Sequence, residues 1–171
     1  MGRSVMISVK PRFCDLIARE KKKTEVRKTR PKTEIPFKCY IYCTRAKRSE
    51  KLYSNGTVIV KDTRKLLDPS VRYPGSKIFQ RWNGKVIGEF VCKAILPISI
   101  TYSDTNSRLA LREFPYTCLT DKEIMDYLGN GKTGYGWLIS DLTIYDKPKD
   151  LSDFGMKRPP QSWCYAEEEK R

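Results

Sequence analysis

The chain has 171 residues, of which 39% are hydrophobic and 32% charged, and its 34 Lys and Arg exceed its 20 Asp and Glu to give a net charge of +14. This size and apolar content fit one globular domain over residues 1–171 and exclude a chain that is disordered throughout. No run approaches ~18 apolar residues, which excludes a membrane-spanning helix. His is absent, which excludes every mechanism that needs an imidazole.

Two features bear on the compartment and on cofactors. The first ten residues contain no sustained apolar stretch, so we expect no secretory signal peptide and a cytoplasmic protein. The six cysteines are spread along the chain, and only Cys39 and Cys43 are close together, which makes a poor zinc site. We therefore expect reduced thiols that pack as small apolar side chains, with no metal and no cofactor.

The first quarter of the chain predicts a strand, a helix and two more strands. Apolar residues alternate over 5–9, the period of a strand, and Pro11 suits the first turn of a helix. Alternation returns over 24–28, inside the most basic stretch of the chain. The segment 37–44 is aromatic and β-branched, and it is the strongest strand in the sequence.

The middle of the chain has a weaker pattern. We interpret residues 45–82 as an insertion between two core strands, with a brief strand over 57–60. Asn83 and Gly84 are typical of a type I′ hairpin turn. A long strand is predicted to follow over 85–98.

The last third predicts a helix and two strands. Thr120 and Glu123 have the spacing of a capping box, which predicts a helix over 121–128. Strands are predicted over 135–145 and 162–166. About six strands with two or three short helices indicate an α+β fold, a small curled β-barrel.

Lys22, Glu25 and Arg27 form the most specific pattern in the sequence. With the strand and the proline-led helix before them, they resemble the opening of the ASCH family of PUA-like β-barrels, whose signature is Gly-x-Lys-x-x-Glu-x-Arg. Glu20 stands where that signature has glycine. The segment 159–165 resembles the end of small ASCH-like proteins of phage and prophage type. The resemblance implies a PUA-like barrel whose cleft beside the helix binds nucleic acid or a nucleoside.

The charge of the chain favours the same function. A large basic excess is typical of proteins with polyanionic partners. The basic runs at 21–23, 28–32 and 45–51 suit a phosphate backbone, with an affinity that falls as salt rises. Aromatic residues close to these runs are candidates for stacking on unpaired bases: Tyr40, Tyr42, Tyr53, Tyr73, Trp82 and Trp163.

We therefore predict a protein that binds RNA or a modified nucleotide, with DNA as an alternative partner and no membrane. In this hypothesis Lys22 and Arg27 hold phosphate or base oxygens, and Glu25 accepts a hydrogen bond from the ligand. Three further side chains extend the basic footprint: Lys10, Lys28 and Arg30. The alternative is that Glu25 only pairs with its neighbouring cations on a solvated strand.

Two other functions stay open. One bacterial branch of the family removes the acetyl group from acetylcytidine with the signature lysine, a threonine at the glutamate position and a downstream glutamate. If this chain acts in the same way, Lys22 and Glu25 are the catalytic candidates. Glu113 or Glu123 is then the downstream glutamate. Thr24 is next to the glutamate position but faces the other side of the strand. The second alternative is a phage-encoded module that binds an acidic groove of a host protein.

Overall fold

The computed structural model describes residues 2–45, 52–54, 57–60, 82–99 and 116–167. Within these residues the chain forms eight strands, two α-helices and one short 3-10 helix. Most of the predicted insertion therefore lies outside the described residues.

The helices are α1 (Pro11–Ala18) and α2 (Asp121–Leu128), and the 3-10 helix covers Leu151–Phe154. The strands are β1 (Gly2–Val9), β2 (Thr24–Arg27), β3 (Phe37–Cys43), β4 (Leu52–Ser54), β5 (Thr57–Val60), β6 (Val86–Ser99), β7 (Thr133–Lys149) and β8 (Trp163–Tyr165). Every strand predicted over the described residues is present.

Six strands form one sheet in the order β2-β7-β6-β3-β1-β8, and β4 and β5 pair separately. β1 and β3 run parallel, and the other neighbours are antiparallel. The sheet curls so that its two edges approach each other. The guanidinium of Arg27 on β2 donates to the carbonyls of Ser8 on β1 (2.8 Å) and of Ser162 beside β8 (3.2 Å). This architecture confirms the predicted α+β curled barrel.

The end of α1 turns the chain sharply towards β2. Glu20 has a positive φ of 56°, its N–H donates to the carbonyl of Ile17, and the N–H of Lys21 donates to the carbonyl of Leu16. These two bonds define a Schellman motif, in which this position favours glycine. The ASCH signature has glycine at this position, and this chain makes the turn with glutamate.

The capping box of α2 is also as predicted. The Thr120 side chain accepts from the N–H of Glu123, and the Glu123 carboxylate accepts from the N–H of Thr120. The helix stops at Gly129, whose φ is 101°. The buried side of α2 packs Ile124 and Leu128 against Val26 of β2.

Four of the six thiols lie in the core, at Cys14, Cys39, Cys43 and Cys92, and all six are free. Burial raises the pKa of the Cys92 thiol to about 12 and holds that of Cys39 well above its ordinary value. The Cys39 and Cys92 thiols therefore stay protonated at neutral pH and pack as apolar groups. In the described part of the chain, no helix is long and apolar enough to cross a membrane.

One turn differs from the prediction. Gly84 has a φ of 73°, Asn83 does not have a positive φ, and the N–H of Lys85 donates to the carbonyl of Trp82. A type I′ turn needs positive φ at both central residues. The type I′ prediction is therefore wrong.

Candidate functional site

Strand β2 carries two different faces within four residues. Val26 points outward to α2, while Glu25 and Arg27 point to the inside of the barrel. In the antiparallel register, Glu25 lies opposite Trp137 of β7 and Arg27 lies opposite Tyr135. Opposed residues share a face of a sheet, so these four side chains meet inside the barrel.

Lys22 reaches the same place from the loop before β2. Its side chain is 1% exposed, its Nζ donates to the carbonyl of Thr117 at 2.5 Å, and it lies 3.3 Å from Oε2 of Glu25. The ammonium also lies 4.9 Å from the ring centroid of Phe13, on α1. The chain thus holds a lysine charge between a carbonyl, a carboxylate and an aromatic face.

Glu25 joins the two cations into one cluster. Its Oε1 accepts from Nη2 of Arg27 at 2.8 Å, and both residues are 6% exposed. We call Lys22, Glu25 and Arg27 the charged cluster. A carboxylate between two cations leaves one net positive charge, and removing three charges from water is costly unless their hydrogen bonds are met.

Three buried polar atoms on this face have no hydrogen-bond partner among the described residues: Oε2 of Glu25, Nε of Arg27 and Nε1 of Trp137. Oε2 of Glu25 keeps its ion-pair distance to Lys22, but the geometry is not that of a hydrogen bond. An unsatisfied buried polar atom costs ~1–3 kcal/mol. The three atoms are one hydrogen-bond acceptor and two donors on the inner face of the sheet.

The other predicted binding residues lie on the surface. Lys10, Lys28 and Arg30 are all exposed. Lys28 lies over the ring of Tyr127, with its Nζ 5.2 Å from the centroid, and the guanidinium of Arg30 lies 5.6 Å from that of Tyr135. The structure therefore brings three of the six predicted residues into one buried cluster and leaves the other three outside it.

The hydrolase alternative uses Lys22 and Glu25, which lie 3.3 Å apart within the charged cluster, together with a downstream glutamate. Glu123 caps α2 and pairs with Arg12 at 3.1 Å. Partial burial raises the pKa of the Glu123 carboxyl, but the N–H of Thr120 and the guanidinium of Arg12 outweigh burial and lower it overall. Glu113 lies outside the described residues.

The candidate stacking residues have different environments. Tyr40 and Tyr42 are buried in a core cluster, and Trp82 is half-buried. The side chain of Tyr53 and all of Tyr73 lie outside the described residues. Trp163 is half-buried, and its Nε1 donates to Oγ1 of Thr29 at 2.9 Å.

Sequence reasoning missed two contributors to the site, Trp137 and Thr117. Trp137 is fully buried and packs edge-on against Phe37, with ring centroids 5.8 Å apart. Its strand was predicted, but its position opposite Glu25 comes from pairing between strands that are distant in the chain. Thr117 lies in the described loop before α2, and no local pattern predicts that its carbonyl accepts from Lys22.

Known structures share this fold, although no family model and no curated protein matches the sequence. The crystal structure of ASCH from Zymomonas mobilis aligns with a TM-score of 0.62 at 19% identity, over 97% of this chain and 89% of that one. A serine-to-alanine variant of the Zymomonas protein aligns with a TM-score of 0.61 at 18% identity, over 97% of this chain and 89% of that one. A tyrosine-to-phenylalanine variant aligns with a TM-score of 0.60 at 18% identity, over 97% of this chain and 91% of that one. The chain therefore has the fold of ASCH domains.

Proposed function

We propose that this protein binds a nucleotide, modified or within RNA, with the base against the charged cluster. The observation that carries the proposal is Oε2 of Glu25, a buried carboxylate oxygen without a hydrogen-bond partner among the described residues. An amino or imino N–H of a base is a donor that such an oxygen accepts. The ASCH fold supports the proposal by analogy only, because one fold hosts many functions.

Each inner residue has a proposed role. Glu25 accepts from the base, and Nε of Arg27 and Nε1 of Trp137 donate to ring nitrogens or oxygens of the ligand. Lys22 balances the charge of Glu25. Because both terminal nitrogens of Arg27 already donate to carbonyls of the barrel, they position the guanidinium rather than remain available for a ligand.

We place the phosphate of the nucleotide outside the charged cluster. A phosphate placed beside Glu25 would bring two anions together where water is excluded, which is unfavourable. We assign the phosphate to the exposed cations that the sequence predicted, Lys10, Lys28 and Arg30. At the surface such contacts give an affinity that falls with salt. The proposed compartment is the cytoplasm, where the free thiols stay reduced.

The test is calorimetric titration with AMP, CMP, GMP, UMP and N4-acetylcytidine. We expect at least one of these ligands to bind, and Glu25→Gln to weaken that binding by tenfold or more, since a hydrogen bond to a charged group contributes about 1.5–3 kcal/mol. Glu89→Gln is the matched control, because the same substitution at a half-buried carboxylate that pairs with Lys38, away from the charged cluster, should leave affinity unchanged. Circular dichroism checks that both variants fold.

Two results would overturn this function. One is the absence of binding to all five ligands, and the other is equal affinity for both glutamine variants. Mass spectrometry of N4-acetylcytidine after incubation tests the hydrolase alternative. Loss of the acetyl group that Lys22→Ala abolishes would replace the binding function with catalysis.

A further inference from the structure

We infer that a surface patch beside the charged cluster binds the backbone of single-stranded RNA next to the buried nucleotide. The patch consists of Arg3, Lys32, Trp163 and Tyr165, and we call it the seam patch because it lies where the two edges of the sheet approach. This inference rests on the proposed function, and it selects RNA over a free nucleotide as the partner.

The four residues come from three distant parts of the chain and converge through direct contacts. The guanidinium of Arg3 lies 4.4 Å from the ring centroid of Tyr165. The Tyr165 hydroxyl accepts from the backbone N–H of Lys32 at 2.9 Å. The ring of Trp163 stands edge-on to that of Tyr165, with centroids 5.7 Å apart. Both cations are exposed and both rings are half-buried.

The seam patch continues inward to the charged cluster. The rings of Trp163 and Trp137 have centroids 5.9 Å apart, and Trp137 lies opposite Glu25 across the β2–β7 ladder. Ser162, next to Trp163, accepts from Arg27 at 3.2 Å. A strand of RNA whose base is held by the cluster therefore has a path of aromatic and basic side chains to follow outward.

The cations of the seam patch form no ion pair within the described part of the chain. Among the described residues, neither Arg3 nor Lys32 forms an ion pair, whereas Lys93 pairs with Asp141 at 2.7 Å. The loop that carries Lys32 also holds other cations, against a single carboxylate at Glu34. Exposed cations beside aromatic rings are the combination that binds single-stranded nucleic acid without a strong sequence preference.

The partner is single-stranded because the base must leave its stack to reach the cluster. In duplex RNA the bases are paired and the deep major groove is closed to side chains. Stacking and hydrogen bonding to a separated base require an unpaired strand. The seam patch then supplies the backbone contacts, and the cluster supplies the contact with the base.

The test compares two double variants that each remove two positive charges. Arg3→Ala/Lys32→Ala alters the seam patch, and Lys93→Ala/Lys147→Ala is the control on exposed lysines of β6 and β7. Fluorescence anisotropy with a labelled single-stranded RNA octamer, repeated across salt concentrations, gives the affinity and its salt slope. Calorimetry with the mononucleotide that binds wild type best gives the affinity of the cluster alone, and thermal melting checks folding.

We expect the seam-patch variant to bind the octamer at least tenfold more weakly than the control. Its slope of log affinity against log salt should be shallower by about 1.4, because each lost phosphate contact on a single strand contributes about 0.7. Mononucleotide affinity should match wild type in both variants.

The outcomes separate this inference from the proposed function. If wild type binds no mononucleotide, the proposed function fails. If wild type binds a mononucleotide but both double variants bind the octamer with equal affinity and slope, the seam patch alone is wrong. Equal affinity for duplex RNA, or for single-stranded DNA of the same sequence, would overturn the choice of partner.

Discussion

The two faces of strand β2 have opposite chemical character within four residues. Outward, Val26 packs against Ile98, Ile124 and Leu128, an apolar contact that removes hydrocarbon from water. Inward, Glu25 enters the charged cluster at almost the same depth of burial. The stability gained by burying Val26 is enough to explain the apolar face. Stability alone does not explain the burial of three charges, because well-packed apolar residues in place of buried ion pairs are often as stable or more stable.

This contrast separates residues that hold the fold from residues for which we propose a role in binding a ligand. Changes to the outward face should reduce stability and leave the affinity of the folded protein intact. Changes to the inward face should reduce both.

Glu25→Ala should lower the free energy of unfolding by about 3–5 kcal/mol, because it leaves Lys22 and Arg27 buried beside each other without a counter-charge. Urea denaturation followed by circular dichroism measures the loss. A change below ~1 kcal/mol would show that water already screens the cluster, and the contrast between the two faces would be lost.

Ile124→Ala should lower the free energy of unfolding by about 2–5 kcal/mol, because it leaves a cavity between α2 and β2. The residue is fully buried. Nucleotide affinity, measured under conditions where the variant is folded, should equal that of wild type. An affinity that falls in parallel with stability would mean that the outward face also shapes the site.

Glu20→Gly should raise the free energy of unfolding by about 0.5–1 kcal/mol. It relieves an L-residue held at a positive φ, and the more flexible unfolded chain offsets part of the gain. Lys21→Gly is the control, because Lys21 does not have a positive φ and glycine there should only destabilise. If both variants destabilise, the Schellman turn carries no strain that glycine relieves.

Acid should weaken the α2 capping box through Glu123, whose folded-state pKa is lowered. A carboxyl with a lowered folded-state pKa stabilises the fold above its unfolded pKa, and this stability is lost as pH falls through the folded value. Glu123→Gln should therefore show a smaller drop in urea midpoint than wild type between pH 7 and about pH 3. Identical drops would mean that Glu123 contributes nothing to acid sensitivity.

Local patterns predicted most of the fold. Thr120 and Glu123 identify a helix start by themselves, and Pro11 marks another, because a cap depends on neighbours only a few residues away. The alternation of Glu25 and Arg27 around Val26 was likewise visible, and it placed the two charges on one face of a strand.

The pairing of strands that are distant in the chain could not be predicted from the sequence. That Trp137 lies opposite Glu25, or that Ser162 receives Arg27, depends on how distant strands align and on how far the sheet curls. Strand β7 also runs further than predicted, through Pro148. β2 pairs with only four of its residues, Tyr135 to Leu138, so the later part of β7 tolerates a proline that lacks an N–H.

A crystal structure with the best-binding mononucleotide tests the proposed contact between Glu25 and the base. We expect a base whose N–H lies within hydrogen-bond distance of Oε2 of Glu25, at about 2.7–3.2 Å. A nucleotide bound elsewhere, with only ordered water against Glu25, Arg27 and Trp137, would contradict it.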